Sequence, residues 1–313
     1  MNNQWQTESR KALKGAKQCN DFFQTQAFAD LSFPVKIPLS FAQCIDKSDP
    51  ADPLLRQVLP QQNKAHPDFS QQPLEDDQHA PVAGLIHKYT NRVLLIATRS
   101  CAIHCQYCFR QNFDYSTHDA LSNWPAVIDY IKKNNQIDEV ILSGGDPLTL
   151  SDEKLAEVVA DIEQITHVKT LRIHSRSAVV IPTRLTPELA KLLSNTRLNT
   201  VMVFHINHAQ EITQTFKRNL SQFSGVRLLN QSVLLKGVND NLETLKALSL
   251  VLMDAGILPY YLNMLDQVRG SEHYWVEPER ALEIHQGLQQ VLSGYLVPRL
   301  VRDTGAKSKT WLF

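Results

Sequence analysis

The chain has 313 residues, 43% hydrophobic and 20% charged, and its 32 basic and 32 acidic side chains cancel to zero net charge. That balance gives no sign of a nucleic-acid or anionic membrane partner, and the length suits one large α/β domain with a small addition. Five cysteines, an odd count with three in one loop, are not a disulfide framework. No apolar run is long enough to cross a bilayer and no signal peptide is seen, so a reducing cytoplasm is the expected compartment.

Residues 1 to about 75 read as irregular, broken by Pro34, Pro38, Pro50, Pro53, Pro60, Pro67 and Pro73. Phe22, Phe23, Phe28, Phe33 and Phe41 imply that the segment packs onto something, and residues 1–80 are expected to form a small helical N-terminal domain. Cys19 and Cys44 fall there as ordinary thiols, and Arg10, Lys11, Lys14 and Lys17 read as a mild basic cluster on a solvated helix face.

From Pro81 the pattern changes to short β-rich runs alternating with helical periods. The strand expected over 93–98 leads into Ser100-Cys101-Ala-Ile-His104-Cys105-Gln-Tyr107-Cys108-Phe-Arg110. Three thiolates this close on one loop can hold an iron–sulfur cluster, for which Cys is the usual ligand. Three rather than four leaves one iron open. Zinc with His104 is the competing metal reading, although structural zinc sites usually carry a second ligand pair further on. Plain structural thiols are the third. A C-x3-C-x2-C run directly after a first strand, with an aromatic before the third cysteine, resembles the signature of radical S-adenosylmethionine (SAM) enzymes.

Further strands are expected over 140–143, 170–174, 200–206, 227–233 and 258–264. Between them Leu155, Val158, Ile162 and Ile165 share a helical face, as do Leu242, Leu245, Leu248 and Leu252, and Ala281, Ile284, Leu288 and Val291. Ser151 and Thr186, the latter followed by Pro187, read as helix N-caps. Repeated β-then-α units predict a parallel sheet covered by helices, with its site at the C-terminal strand ends. Ser143-Gly144-Gly145-Asp146-Pro147 ends the second strand; it is either an ordinary strand-to-helix turn or a place where backbone approaches a ligand and Asp146 accepts from an ammonium. Near the C-terminus, Lys307 and Lys309 are either solvated or able to bond the aldehyde of pyridoxal phosphate (PLP).

The segments 73–77, 81–92, 140–146, 172–176, 205–211, 230–240 and 293–298 together resemble the lysine 2,3-aminomutase family of PLP-dependent radical SAM enzymes. The resemblance implies a radical SAM partial β/α barrel over residues 81–313, ending in a PLP-lysine segment, behind the N-terminal domain. It assigns Cys101, Cys105 and Cys108 to a [4Fe-4S] cluster, and Gly144, Gly145 and Asp146 to SAM. Lys309 becomes the PLP lysine by its Ser-Lys-Thr context, with Lys307 as rival. Tyr89, Arg92 and Lys88 fall at PLP-contacting positions, and Asn263 stands where larger relatives have tyrosine. Arg110 falls where the substrate carboxylate is met, and Asp266, with Asp303 as a second acid, where the distal ammonium is met.

The implied reaction is migration of the amino group of L-lysine from C2 to C3, giving β-lysine, expected as the R isomer. The few residues after Lys309 resemble a shorter branch that supplies β-lysine to a separate ligase modifying translation elongation factor P. A reductant protein of unknown identity is also implied. A mutase for another amino acid such as glutamate, and a non-catalytic metal-binding protein on the same fold, are the alternatives. Asp266 argues against glutamate.

Overall fold

Runs rich in Val, Ile and Leu become the strands of a largely parallel sheet, most deeply buried over Arg92–Thr98, Glu139–Gly144 and Asn199–His205. The computed structural model describes residues 4–62, 66–74, 76–115, 118–303 and 310–312. The chain begins with α1 (Gln4–Arg10), β1 (Leu13–Lys14), α2 (Gly15–Phe23), β2 (Lys36–Ile37), α3 (Leu39–Ala42) and α4 (Pro53–Arg56). β1 and β2 pair antiparallel, Leu13 opposite Ile37 and Lys14 opposite Lys36. Trp5, Cys19, Phe23, Phe28, Ile37, Phe41 and Leu54 form a core that also takes in Ala102 and Ile103 of the cysteine loop. The phenylalanine-rich segment therefore packs directly on that loop.

Among the described residues the main sheet has nine strands: β3 (Leu85–Tyr89), β4 (Arg92–Thr98), β5 (Glu139–Gly144), β6 (Thr170–Ser175), β7 (Asn199–His205), β8 (Arg227–Val233), β9 (Leu258–Asn263), β10 (Arg299–Arg302) and β11 (Thr310–Trp311) in spatial order. β4 to β10 run parallel; β3 and β11 lie antiparallel at the two edges. The six strands expected from sequence all form, each within a residue or two of its expected bounds. β3, β10 and β11 are additions to that reading.

The sheet curls until its edges meet. Lys88 on the β3 edge reaches Asp303, just past β10 on the other side, at 3.3 Å, with both side chains largely buried. This is a barrel left partly open. Outside it lie α5 (Trp124–Lys133), α6 (Asp152–Glu163), α7 (Ser177–Val180), α8 (Pro187–Ser194), α9 (Gln214–Leu220), α10 (Leu242–Asp254) and α11 (Pro278–Val291). Val127, Leu155, Ile162, Leu189, Phe216 and Leu248 come from these helices and fill the space against Val140, Leu171 and Met202 of the strands. Ser151 caps α6 by accepting from Lys154 N at 3.2 Å, and Thr186 caps α8 by accepting from Leu189 N at 3.1 Å. Because β4 to β10 are parallel, their following loops gather at one end of the barrel, where a βα protein places its site.

Candidate active site

The loop after β4 is fixed from two sides. On the barrel side, Gly145 N donates to Thr98 O at 2.7 Å and Asp146 N to Ser100 O at 2.8 Å. Gly144 sits at φ +112, and a Cβ there would lie 2.8 Å from Thr98 O; a Cβ on Gly145 would lie 2.4 Å from Ser100 O. The Gly-Gly pair is thus needed for the β5 end to close against the cysteine loop. From the other side, His104 N donates to Lys36 O at 3.0 Å, Gln106 N to Gln57 O at 3.0 Å, and Lys36 Nζ to Cys101 O at 2.6 Å.

Held this way, the three cysteines are half-buried, and their thiols oppose one another's ionisation. Burial pushes the Cys101 thiol well up, and the charges of Cys108, Asp146 and Cys105 push it further. Cys108 rises to about 11, by burial and then by Cys105. Cys105 rises by burial, against which Arg176 pulls it down. Three such thiols become thiolates together only when a positive metal centre shares them. The donor set therefore fits an iron–sulfur cluster. In the competing zinc reading His104 would be the added ligand; its Nδ1 is bonded to Pro34 O at 2.9 Å, which leaves Nε2 as its ligand nitrogen.

Beneath the loop is a buried polar network that sequence reading missed. Arg176, after β6, ion-pairs with Glu211 at 3.2 Å and donates to Gln57 Oε1 at 2.9 Å and His205 O at 3.2 Å. Asn207 Nδ2 donates to the Tyr107 hydroxyl at 2.7 Å and to Gln57 Oε1 at 3.0 Å. Glu211 also accepts from Asn207 N at 2.9 Å and His208 N at 3.0 Å. His205 is kept neutral, its pKa lowered to about 3 by burial and by Arg176. The network ties the N-terminal segment, the cysteine loop and the ends of β6 and β7 into one unit. The motifs 172–176 and 205–211 were visible in sequence; Gln57, in a proline-broken stretch, carried no signal.

Breaking one half of a buried ion pair strands the other charge, at a cost of about 3–5 kcal/mol. Glu211→Ala is therefore expected to lower the urea midpoint sharply, and Glu211→Gln, which can still accept from the two backbone amides, by less. An alanine variant that unfolds at the wild-type urea concentration would show that Arg176 does not depend on the pair.

The remaining candidates are distributed as follows. Asp146 departs from the expectation of an open acceptor. It is buried, and its oxygens already accept from Leu148 N, Ser175 Oγ, Arg176 N and Ser177 N at 2.7 to 3.2 Å. Its carboxylate is a tie between the ends of β5 and β6. Arg110 is buried and holds Asp76 through Nε at 3.2 Å and Nη2 at 2.9 Å. Asp266, half-buried just after β9, is close enough for its charge to raise the Cys108 thiol. Asn263 Nδ2 donates to Ser232 O at 3.1 Å.

At the β3–β4 turn the Arg92 guanidinium lies 3.6 Å over the Tyr89 ring, next in the chain to the Lys88–Asp303 pair. These four residues thus gather at the start of β4, one strand length from the cysteine loop. Lys307 and Lys309 lie outside the described residues.

The model of the Radical SAM superfamily matches residues 95–221. The L-lysine 2,3-aminomutase of Escherichia coli (strain K12) is 45% identical over 284 residues, 89% of this chain and 83% of that protein. The L-lysine 2,3-aminomutase of Haemophilus influenzae is 43% identical over 310 residues, 97% of this chain and 92% of that protein. That of Clostridium subterminale is 40% identical over 281 residues, 86% of this chain and 66% of its own. Among solved structures, a radical SAM methyltransferase from Sphaerobacter thermophilus aligns with 70% of this chain and 68% of its own at 13% identity, with a TM-score of 0.46.

Proposed function

The chain belongs to the lysine 2,3-aminomutase family of radical SAM proteins, and from that premise we propose that it converts L-lysine to β-lysine by 1,2-migration of the amino group. The observation that carries the reading is the loop of three half-buried, mutually opposing thiols at the carboxyl end of the parallel strands, in a chain aligned over most of its length with such enzymes. When bound, the [4Fe-4S] cluster with SAM supplies a carbon radical able to take an unactivated hydrogen, and PLP supplies a ring that delocalises the unpaired electron beside the migrating nitrogen.

The chain's own residues then do four things. Cys101, Cys105 and Cys108 hold the cluster, while the Arg176 guanidinium offsets the negative charge at Cys105. Gly144 and Gly145, by closing the β5 end against the cysteine loop, shape the strand end where the resemblance places SAM. Arg110, kept in place by Asp76, takes the substrate carboxylate in the fork geometry suited to it, and Asp266 takes the distal ammonium. Lys88, Tyr89, Arg92 and Lys309 are the PLP residues and Asp303, paired with Lys88, the second acid for the substrate, as the resemblance implies. Fixing lysine at both ends is the main service to catalysis, because a positioned reactant saves much of the entropy of encounter.

We take residues 1–80 as a bracing unit for the cysteine loop rather than as a carrier of chemistry. The cytoplasm, a protein reductant and a ligase that passes the product to elongation factor P complete the reading; their support is the resemblance to the shorter branch, which also favours the R product. The direct test is anaerobic incubation with L-lysine, SAM, PLP and reductant: β-lysine is expected, and omission of any one of the four is expected to abolish it. Product from glutamate in place of lysine would overturn the substrate. Asp266→Ala is expected to weaken lysine use roughly 10- to 100-fold, the worth of one hydrogen bond to a charged group, with SAM affinity unchanged. Equal loss of both would make Asp266 a structural residue.

A further inference from the structure

The basic cluster near the N-terminus has no part in the chemistry above, yet the fold carries some of it to the cysteine loop. Beside Cys101 the surface folds into a recess of about 440 Å³ whose walls include Lys14, Lys36, Arg99, Ser100, Cys101 and His104. Lys14 and Lys36 are directly opposite in the β1–β2 ladder, so both project from one face of it. Lys36 Nζ sits on the Cys101 carbonyl at 2.6 Å. Arg99 is half exposed, with Asp119 3.7 Å from its guanidinium. Lys11 and Lys17, both exposed, flank Lys14 along the chain. Asp30, whose carboxylate accepts from Ala16 N at 2.8 Å, and Asp119 are the acids at this edge. Cations outnumber acids here in a chain of zero net charge, so this positive patch is local. Cys101 also differs from its two partners in lining such a surface recess, whereas Cys105 packs between buried apolar clusters.

Resting on the cluster-binding reading of the loop, we propose that this recess is the docking face of an acidic one-electron carrier protein, and that the electron enters through Cys101. The carrier is oxidised by one electron and the cluster reduced by one, with no bond or proton moved. Electron-transfer encounters are small and weak, and a compact patch of one sign beside the acceptor raises their rate by steering.

The test uses the full chain with its cluster reconstituted anaerobically, reduced in a stopped-flow instrument by either flavodoxin hydroquinone, an acidic protein, or dithionite. For the wild type the flavodoxin rate is expected to fall steeply with added salt. For the double variant Lys14→Glu/Arg99→Glu it is expected to drop about tenfold or more at low salt, while dithionite reduces both chains equally fast. The dithionite arm also reports that the variant has folded and carries its cluster. Lys11→Glu/Lys17→Glu, further from the loop, is expected to give a smaller drop in the same direction. A double variant reduced by flavodoxin at the wild-type rate, or slowed equally with both reductants, would overturn the docking face. A wild-type chain that takes up no cluster would instead overturn the reading of the loop, and the proposal with it.

Discussion

Cys105→Ala is expected to leave a folded chain that retains no iron or sulfide after anaerobic reconstitution and makes no detectable β-lysine. Cys105 sits between two apolar clusters, so the loss of its sulfur costs a small cavity, about 1 kcal/mol or less. The chemical loss is much larger. The two remaining thiols, both raised by burial, have too few partners to hold a cluster that already has only three protein ligands. Without it nothing in the site can take a hydrogen from the unactivated C3 of lysine, and no side-chain base can substitute. Cys19→Ala is the control: that thiol is also buried, and pushed up to about 12 by burial and by Asp30, but it stands alone in the N-terminal core. Its iron content is expected to match the wild type. Iron and sulfide analysis with circular dichroism on the two variants separates loss of ligand from loss of fold.

Lys309→Ala is expected to be as severe for PLP as Cys105→Ala is for iron. A lysine bonded to the PLP aldehyde shifts the cofactor's absorbance, so the variant should bind PLP weakly, lack the bonded-cofactor band and lose turnover, while its cluster content stays normal. Lys307→Ala is expected to keep both. The opposite pattern would move the PLP lysine two residues earlier. Asp303, paired with Lys88, lies by the β3–β4 turn where Tyr89 and Arg92 also lie. A normal band in Lys309→Ala together with a normal band in Lys307→Ala would remove PLP from this segment altogether.

Six of the parallel strands could be read from sequence because β-rich runs alternate with helical periods, and Ser151 and Thr186 mark two of the helix starts with side-chain caps. β3 was less legible: Leu85–Tyr89 mixes His87 and Lys88 into an edge strand whose partner lies across a two-residue turn. β10 has only four residues, two of them arginine, and is held by its neighbour β9 rather than by local propensity. The cysteine trio stood out by its spacing, but the resemblance to radical SAM enzymes, rather than spacing alone, set a cluster above zinc or plain thiols. Asp146 was misread because a Gly-Gly-Asp turn looks the same whether its carboxylate faces a ligand or, as here, the amides of the next strand end. The Gln57–Arg176–Glu211 network joins residues more than a hundred positions apart, and no local pattern reports such a contact. Lys14, expected on a solvated helix face, lies in a two-residue strand beside the cysteine loop for the same reason.

The most direct measurement follows the nitrogen itself. The anaerobically reconstituted chain, with SAM, PLP and reductant, is given L-lysine labelled with ¹⁵N at the α-amino group, and the product is examined by NMR. The label is expected on the nitrogen bonded to C3 of β-lysine. Lysine recovered unchanged from a chain shown to carry both iron–sulfur cluster and PLP, or label released to solvent as ammonia, would contradict it.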